Sequence, residues 1–527
     1  MTVERILPAK HADDGSVHYS STSSPSDDSH AVCHMEPDRV IPVIFVPGVM
    51  GSNLKDSSGK GVWVVDGPTT MLRWKFKKAD YRKQTLDPDK TAVFDGGEIP
   101  KGTSLTDAEK KARGWGTVSN KSYGGWLVWL QNALDDAHNE TDNGRNGLRA
   151  TLIKQVIAPG LDTLTDAEVE LSYQYRLPVH AVGYNWLKSN EDSSRHLANE
   201  ITRIMAEYRR RFRCDKVIVV THSMGGLVAR HCSEVREGNK VILGIVHSVM
   251  PATGSATAYK RVKAGWESGN SITDSIARDI LGATAVEITA VFAQSPGPLQ
   301  LLPDVSYGNG WLKIRDGDQV VALPSKGDPY GEIYTQHKKW WGLIDDKFID
   351  PLDTKKDNLD RDWKKFKTLI DNDVKSFHSA ISLRYHTHTY AFYGDDAKHK
   401  TWGDVVWRRT PNKVNLFSNT TPPIADPLKL EGRWDSRVGT QRVIDPGKLP
   451  FAPFEEFVLQ PADEDGDGTV PVRSGRAPAP HAKACVAFKG VDHEGAYNPL
   501  PCRLFALRAI TRLVSNVKGT SMEYASC

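Results

Sequence analysis

A serine stands between a run of β-favouring residues and a helical pattern in the stretch VIVVTHSMGGLVARHC, which begins at Val217. A serine hydroxyl is a weak nucleophile at neutral pH, so it needs a base to take its proton and donors to hold an oxyanion. A tight strand-to-helix turn provides for both needs at the carboxyl end of a sheet. Gly225 matches the second glycine of G-x-S-x-G, whereas Thr221 stands where the first is expected. Ser223 is the candidate nucleophile, and the alternative is a serine that only caps a helix.

The base must be a histidine that reaches Ser223 from another loop at the same edge of the sheet. His493 follows the apolar run ACVAFKG, beyond the carboxyl end of a predicted strand. His386, His388 and His481 stand at or before the starts of predicted strands, which places them at the opposite edge. His493 is therefore the candidate base, and the alternative for it is an ordinary surface histidine.

Several carboxylates compete for the acid that orients this histidine. Asp467 lies between glycines in GDGTVP, where the backbone can bend and aim a carboxylate, and it is the preferred candidate. Asp465 and Asp395 are the alternatives.

The same acidic run resembles a calcium-binding loop, because residues 463–468 read D-x-D-x-D-G when written DEDGDG. The last position of an EF-hand loop requires a glutamate, and here it is Ser474. The EF-hand interpretation fails, and an irregular calcium site near Asp463 and Asp465 remains as an alternative. No cofactor is otherwise predicted.

Two backbone N–H groups are the candidate donors of an oxyanion hole. One belongs to Met224, directly after the candidate nucleophile, and the other to Val49, in the turn of VPGVMGSNL after an early apolar run. An ordinary strand-to-loop turn is the alternative for this second stretch.

Apolar runs and helical stripes alternate along the chain, and this rhythm predicts a mostly parallel sheet flanked by helices. We expect residues 1–38 to form a mobile arm. Residues 39–255 and 386–527 should form an α/β core, with a tryptophan-rich excursion at 55–150. Residues 256–385 should form a large helical cap insertion.

Two helical stripes carry more specific expectations. The first lies at Leu197, Ile201, Ile204, Met205 and Tyr208, in a helix whose predicted N-cap is Asp192 or Ser193. The second stripe lies in the cap and consists of Ile276, Ile280, Ile288, Val291 and Phe292. It is expected either to line an acyl groove or to form the core of the cap itself.

Composition excludes several classes of protein. The 68 lysines and arginines against 65 acidic residues give a net charge of +3, with no basic stripe, so no nucleic acid partner is expected. The six cysteines include no C-x-x-C, so neither a zinc site nor a redox pair is indicated. We find no secretory signal pattern and no apolar window long enough to span a membrane, which predicts synthesis in the cytoplasm without a cleavable signal.

The motifs PVIFVPGVMGSNL, HSMGGLVAR, FYGDD, GDGTVP and DHEGAY together resemble α/β-hydrolase lipases of the lecithin–cholesterol acyltransferase-like and GPI-inositol-deacylase-like branches. The resemblance covers residues 40–255 and 385–515. It implies an α/β-hydrolase fold, a serine hydrolase that cleaves acyl esters of lipids, and a triad of Ser223, Asp467 and His493. It also implies Val49 and Met224 as the oxyanion pair.

A narrower similarity, carried by HAVGYNWLKSN and the long cap, is to phospholipases that bacteria deliver to rival cells by type VI secretion. It implies a phospholipid substrate at a membrane surface, an immunity protein, a secretion-spike partner and action in the target-cell periplasm. An acyltransferase with the same triad and a catalytically silent binding protein remain as alternative functions.

Overall fold

The computed structural model describes residues 3–7, 10–11, 17–19, 29–33, 37–66, 74, 77–136, 147–266, 282–410, 424–432, 439–448 and 454–524. Its strands are β1 (Val3–Leu7), β2 (Lys10–His11), β3 (Val17–His18), β4 (Ser29–Cys33), β5 (Val43–Val46), β6 (Leu54–Asp56), β7 (Gly61–Trp63), β8 (Thr91–Val93), β9 (Val179–Ala181), β10 (Val217–His222), β11 (Ile242–Ser248), β12 (Leu312–Asp316), β13 (Gln319–Leu323), β14 (Thr389–Gly394), β15 (Asp396–Thr401), β16 (Val405–Thr410), β17 (Glu431–Gly432), β18 (Thr440–Ile444), β19 (Glu455–Leu459), β20 (Glu464–Gly466) and β21 (Ala484–Phe488).

The α-helices of these ranges are α1 (Ala79–Thr85), α2 (Asp107–Ala112), α3 (Asn120–Leu134), α4 (Leu148–Thr151), α5 (Asp166–Tyr173), α6 (Asn190–Tyr208), α7 (Gly225–Glu234), α8 (Ala256–Ala264), α9 (Ala285–Phe292), α10 (Pro296–Leu299), α11 (Leu359–Leu369), α12 (Lys375–Ile381), α13 (Val472–Gly475) and α14 (Leu500–Val514). No helix in the described part of the chain is both long and apolar enough to cross a membrane.

The main sheet has the strand order β9-β5-β10-β11-β14-β21, and all neighbouring strands in it are parallel. Its central strands are buried along their whole length, which is why they read as continuous apolar runs in the sequence. Side chains alternate between the two faces: Ile44 and Val219 pack with α6 and α7, whereas Val43 and Ile218 pack with α3 and α14. This three-layer arrangement confirms the predicted α/β-hydrolase fold class.

The strand order creates a crevice at one place in this sheet. β5 lies between β9 and β10, although β9 follows β5 in the chain. The connection from β5 therefore leaves toward one side of the sheet and that from β10 toward the other. In open α/β sheets, ligands bind at the carboxyl ends of strands at such a point.

Helix α6 begins earlier than the sequence predicted. Its N-cap is Ser189, whose hydroxyl accepts the N–H of Glu191, so the predicted caps Asp192 and Ser193 are wrong. Both lie inside the first helical turns, where acidic residues are favoured by the helix dipole rather than by capping. The apolar stripe itself is confirmed, with its residues Leu197 and Ile201 in the core.

A second, mixed sheet has the order β13-β12-β16-β19-β18-β17 among the described strands, and the sequence did not indicate it. Its hairpin β12–β13 comes from the predicted helical cap, whereas β16 to β19 come from the segment between β14 and β21. The cap also contains an amphipathic helical segment: α11, a π-helical turn at Ile370–Val374 and α12 follow one another directly, and Trp363 and Phe377 are buried.

Short strands also pair within the N-terminal segment, β1 with β4 and β2 with β3. Strands β6 to β8 form a small antiparallel sheet in the predicted excursion. The division of the chain into arm, core and cap, with its boundaries, stays a prediction.

Candidate active site

The turn between β10 and α7 carries Ser223 in a strained conformation. Its φ is +50°, in the left-handed region that non-glycine residues seldom occupy, and its N–H donates to the carbonyl of Ser248 at 2.9 Å. A Cβ at Gly225 would lie 2.4 Å from the carbonyl oxygen of Pro47, so only glycine fits there. Thr221, which stands in place of the usual glycine, is buried, and its hydroxyl lies 2.9 Å from Nδ1 of His247.

Ser223, His493 and Asp467 form one continuous hydrogen-bond chain. Ser223 Oγ lies 2.8 Å from His493 Nε2, and His493 Nδ1 lies 2.8 Å from Asp467 Oδ2. A carboxylate only accepts, so Nδ1 donates to it and Nε2 is left to accept the serine proton. The three side chains thus lie where a nucleophile, a base and an orienting acid must lie.

The loops of the acid and the base are tied together twice. Besides the side-chain contact, the His493 N–H donates to the carbonyl of Asp467 at 2.9 Å. The other carboxylate oxygen of Asp467 accepts the N–H groups of Thr469 and Val470 at 2.9 and 2.7 Å. The Asp467 side chain is 1% exposed, so its orientation is fixed by packing as well as by hydrogen bonds.

The alternative acids have partners elsewhere. Asp395 pairs with Lys489 and Asp465 with Lys400. His386, which the sequence placed at the opposite edge, contacts the carbonyl of Ile242 at the start of β11.

Asp463, the other residue of the calcium alternative, accepts the N–H groups of Gly403 and Asp404. Within the described ranges, no group of three or more His, Cys, Asp and Glu side chains is arranged to hold a metal ion.

The loop after β5 runs beside the nucleophile. A Cβ on Gly48 would lie 3.0 Å from the Ser223 Cβ, so the backbone passes the serine at van der Waals distance. Val49 lies in the wall of the cavity above Ser223, and Met224 occupies the N-cap position of α7, where a backbone N–H has no helical partner. These positions suit the predicted oxyanion donors.

A second hydrogen-bond chain, which the sequence did not reveal, joins this loop to the base. The N–H of Gly48 donates to the hydroxyl of Tyr123 at 3.1 Å, and that hydroxyl lies 2.9 Å from His222 Nδ1. His222 Nε2 lies 2.7 Å from the carbonyl oxygen of His493. A carbonyl only accepts, so Nε2 carries the proton and Tyr123 donates to Nδ1.

His222 is held neutral in this chain. Burial lowers the pKa of its imidazole to about 3, with a smaller contribution from His493 in the same direction. The only sequence signal for the role of His222 was its place beside Ser223, and nothing marked Tyr123, which comes from α3.

The cavity above Ser223 has a volume of about 230 Å³ and is mostly apolar. Phe292 of the predicted cap stripe lies in its wall, whereas Ile288 and Val291 are buried in the core of the structure. Ile276 and Ile280 lie outside the described residues. Other apolar residues of the wall are Trp63, Val65, Leu301 and Val470.

Comparisons with known proteins agree with this fold. A family model of lecithin:cholesterol acyltransferase matches residues 150–380, a range that contains Ser223 but neither Asp467 nor His493. A chain in the crystal structure of the Tle4-Tli4 complex is similar with a TM-score of 0.74 and 28% sequence identity, over 90% of this chain and 98% of that chain. Among curated proteins, no sequence matches this chain.

Both similarities support a lipase-type enzyme that acts on acyl esters. The chain is an α/β-hydrolase that resembles the lecithin:cholesterol acyltransferase-like lipases, as its sequence motifs predicted.

Proposed function

We propose that this protein is a serine phospholipase that cleaves acyl ester bonds, with Ser223 as nucleophile, His493 as base and Asp467 as orienting acid. The observation that carries the proposal is the unbroken hydrogen-bond chain from Ser223 Oγ to Asp467 Oδ2 at the base of an apolar cavity. The reaction so written needs no metal or cofactor, because the imidazole supplies the proton transfer.

In the first half of the reaction, Ser223 Oγ attacks the ester carbonyl carbon while His493 Nε2 takes the serine proton. The N–H groups of Val49 and Met224 hold the oxyanion of the tetrahedral intermediate. His493 then gives its proton to the leaving alkoxide of the lysophospholipid. The products of this half are an acyl-serine and a free alcohol.

In the second half, His493 takes a proton from water, and the resulting hydroxide attacks the acyl-serine carbonyl. Collapse of the second tetrahedral intermediate releases a fatty acid, and the proton returns to Ser223. Asp467 stabilises the imidazolium in both halves without itself taking the proton.

The proposal is tested with the variant Ser223→Ala on p-nitrophenyl esters and phospholipid vesicles. We expect kcat to fall by about 10⁶-fold in Ser223→Ala and by about 10⁴-fold in Asp467→Asn, because the amide no longer holds the imidazole in the tautomer that accepts the serine proton. A fluorophosphonate probe should label the native enzyme and not Ser223→Ala. Ser122→Ala, a serine in the wall of the same cavity, serves as the control and should keep its labelling and most of its activity. Full activity of Ser223→Ala would contradict the proposal, and a native enzyme that takes no probe would favour a silent binding protein.

Acyl transfer to an alcohol is the second candidate, and the match to an acyltransferase family favours it. The same site could serve both reactions, since they differ only in whether water or an alcohol attacks the acyl-serine. Incubation with phospholipid and a long-chain alcohol, followed by mass spectrometry, separates them. A hydrolase yields free fatty acid, whereas a transferase yields mainly a new ester.

We further propose that the protein is an antibacterial effector, secreted by the type VI route and held inactive by an immunity protein. The resemblance to type VI phospholipases supports this, and so does the similarity to one chain of a complex named for two proteins, Tle4 and Tli4. Directed to the periplasm of a bacterial host, the native protein should stop growth and Ser223→Ala should not. Unimpaired growth with the native protein, at equal expression, would contradict the effector role.

A further inference from the structure

A second cavity, of about 660 Å³, lies apart from Ser223. One part of its wall is apolar and consists of Val262, Val286, Trp340, Leu343 and Ile344. Its volume is in the usual range for small-molecule sites, which are mostly apolar with a few polar groups that fix the ligand.

Lys263 on α8 is the polar group that distinguishes this cavity. The residue is 8% exposed and lines the cavity, and no hydrogen bond or ion pair to its ammonium exists within the described residues. A buried cation without a partner is costly, and proteins seldom keep one without a use.

The positive and negative charges of the other residues in the wall nearly cancel. The carboxylate of Asp345 is the one whose charge acts on Lys263, and Asp346 is already paired with His337. The charged groups around Lys263 in the wall are Lys338, Lys339, Asp345, Asp346, Lys347 and Glu431. No arginine lines the described wall.

The same two helices, α8 and α9, contribute residues to the walls of both cavities. Helix α8 places Ala258 and Arg261 on the catalytic cavity and Val262 and Lys263 on the second one. Helix α9, which packs against α8, places Phe292 on the first cavity and Val286 and Thr289 on the second.

We propose that the second cavity binds a fatty acid, with its carboxylate on the Lys263 ammonium and its alkyl chain along the apolar wall. The source of the ligand rests on the proposed function, because hydrolysis of an acyl ester releases this class of molecule. The binding itself does not depend on turnover.

The chemistry of the wall favours a carboxylate over a phosphate. A phosphate dianion is usually bound by several donors or by the forked guanidinium of arginine. Of the four lysines in the wall, Lys263 is the buried one, whereas Lys338 and Lys347 are exposed and Lys339 is half-buried. One buried ammonium beside the apolar part of the wall suits a monoanion with a hydrocarbon tail.

The test is a calorimetric titration of decanoate into Ser223→Ala, which cannot turn over. We expect one component of the binding to depend on Lys263: Lys263→Met should weaken it at least tenfold, whereas Lys347→Met, an exposed lysine at the same cavity, should leave it within twofold. Inorganic phosphate should give no Lys263-dependent heat. Equal decanoate binding in Lys263→Met, no decanoate binding at all, or Lys263-dependent binding of phosphate would each overturn the proposal.

The pH dependence provides a second readout that a purely structural role would not give. Burial lowers the pKa of the Lys263 ammonium to about 8, and Asp345 opposes this only in part. The charged form binds a carboxylate, so the Lys263-dependent affinity should fall at least tenfold between pH 7 and pH 9.5. An affinity that stays constant up to pH 9.5 would contradict the assignment of Lys263 as the anion's partner. Loss of ester hydrolysis by the native enzyme would count against the proposed function and not against this binding.

Discussion

Tyr123 and His222 connect the two loops that matter most to the candidate site without touching the reacting atoms. Tyr123 accepts from the Gly48 N–H and donates to His222, which in turn holds the carbonyl of His493. They are positioning residues, and their effect should appear in turnover rather than in substrate binding.

Tyr123→Phe removes one hydroxyl and leaves the Gly48 N–H and His222 Nδ1 without partners. Each buried unpaired group costs about 1–3 kcal/mol, and the loop that carries Val49 should loosen. We expect kcat to fall roughly tenfold with KM nearly unchanged. Tyr175→Phe is the control, because its buried hydroxyl donates to the carbonyl of Met522, at a distance from the site in the chain and the fold. An equal loss of kcat in both variants would show that general stability, not positioning, is responsible.

The sequence alone was enough to single out Ser223, Asp467 and His493, the three residues that the structure joins in one hydrogen-bond chain. Ser223 and His493 each follow an apolar run, and parallel strands bring such ends to one edge of the sheet. Tyr123 could not be found in the same way, because its partners Gly48 and His222 are 75 and 99 positions away in the chain and only packing reveals their approach.

Helix α6 shows how a local interaction decides where an element begins. Ser189 accepts the N–H of Glu191 and also the side-chain amide of Gln300, so it satisfies the helix end and anchors the cap segment after α10. Ser193, which the sequence offered as the cap, is buried with no hydrogen-bond partner for its hydroxyl in the described structure.

Ser189→Ala should lower the free energy of unfolding by about 1–2 kcal/mol, the usual cost of losing an N-cap. Ser193→Ala should change it by less than about 0.5 kcal/mol or raise it, because an unpaired buried hydroxyl is removed. Urea unfolding followed by tryptophan fluorescence measures both. A larger loss in Ser193→Ala than in Ser189→Ala would mean that the cap is assigned to the wrong residue.

The sequence predicted the strands whose two faces are both buried. It did not predict strands with one face exposed to solvent. β10 and β11 are buried throughout and read as apolar runs. β13 and β19 each have one buried residue, Leu323 and Phe457, and contain glutamine or glutamate, so the second sheet gave no comparable signal. Its pairing also joins segments about 90 residues apart in the chain, such as β12 with β16, which no local pattern encodes.

The whole molecule buries several histidines in the neutral form. Burial is the main cause that lowers the pKa of His222 and His247 to about 3 and of His231 and His386 to about 4. In the unfolded chain each has a pKa near 6.5. Between these values the unfolded state binds more protons than the folded state.

Stability should therefore be full above about pH 6.5 and decrease as the pH falls toward 4, by roughly 1.4 kcal/mol per pH unit for each such histidine. Urea midpoints at pH 7.5, 6.5, 5.5 and 4.5 measure this. In His386→Gln the free energy of unfolding should decrease less steeply with falling pH, by the contribution of one histidine. His386 is a suitable position because it does not line the catalytic cavity. A midpoint that stays constant down to pH 4.5 would contradict neutral burial of these side chains.

The members of the proposed triad are far apart in the chain: Ser223 stands 270 positions before His493, and all described strands of the second sheet lie between these two residues. A chain that ends between residues 223 and 493 would thus keep the proposed nucleophile and lack the proposed base. C-terminal truncation before residue 493 is therefore expected to abolish the proposed hydrolysis even where Ser223 is still present.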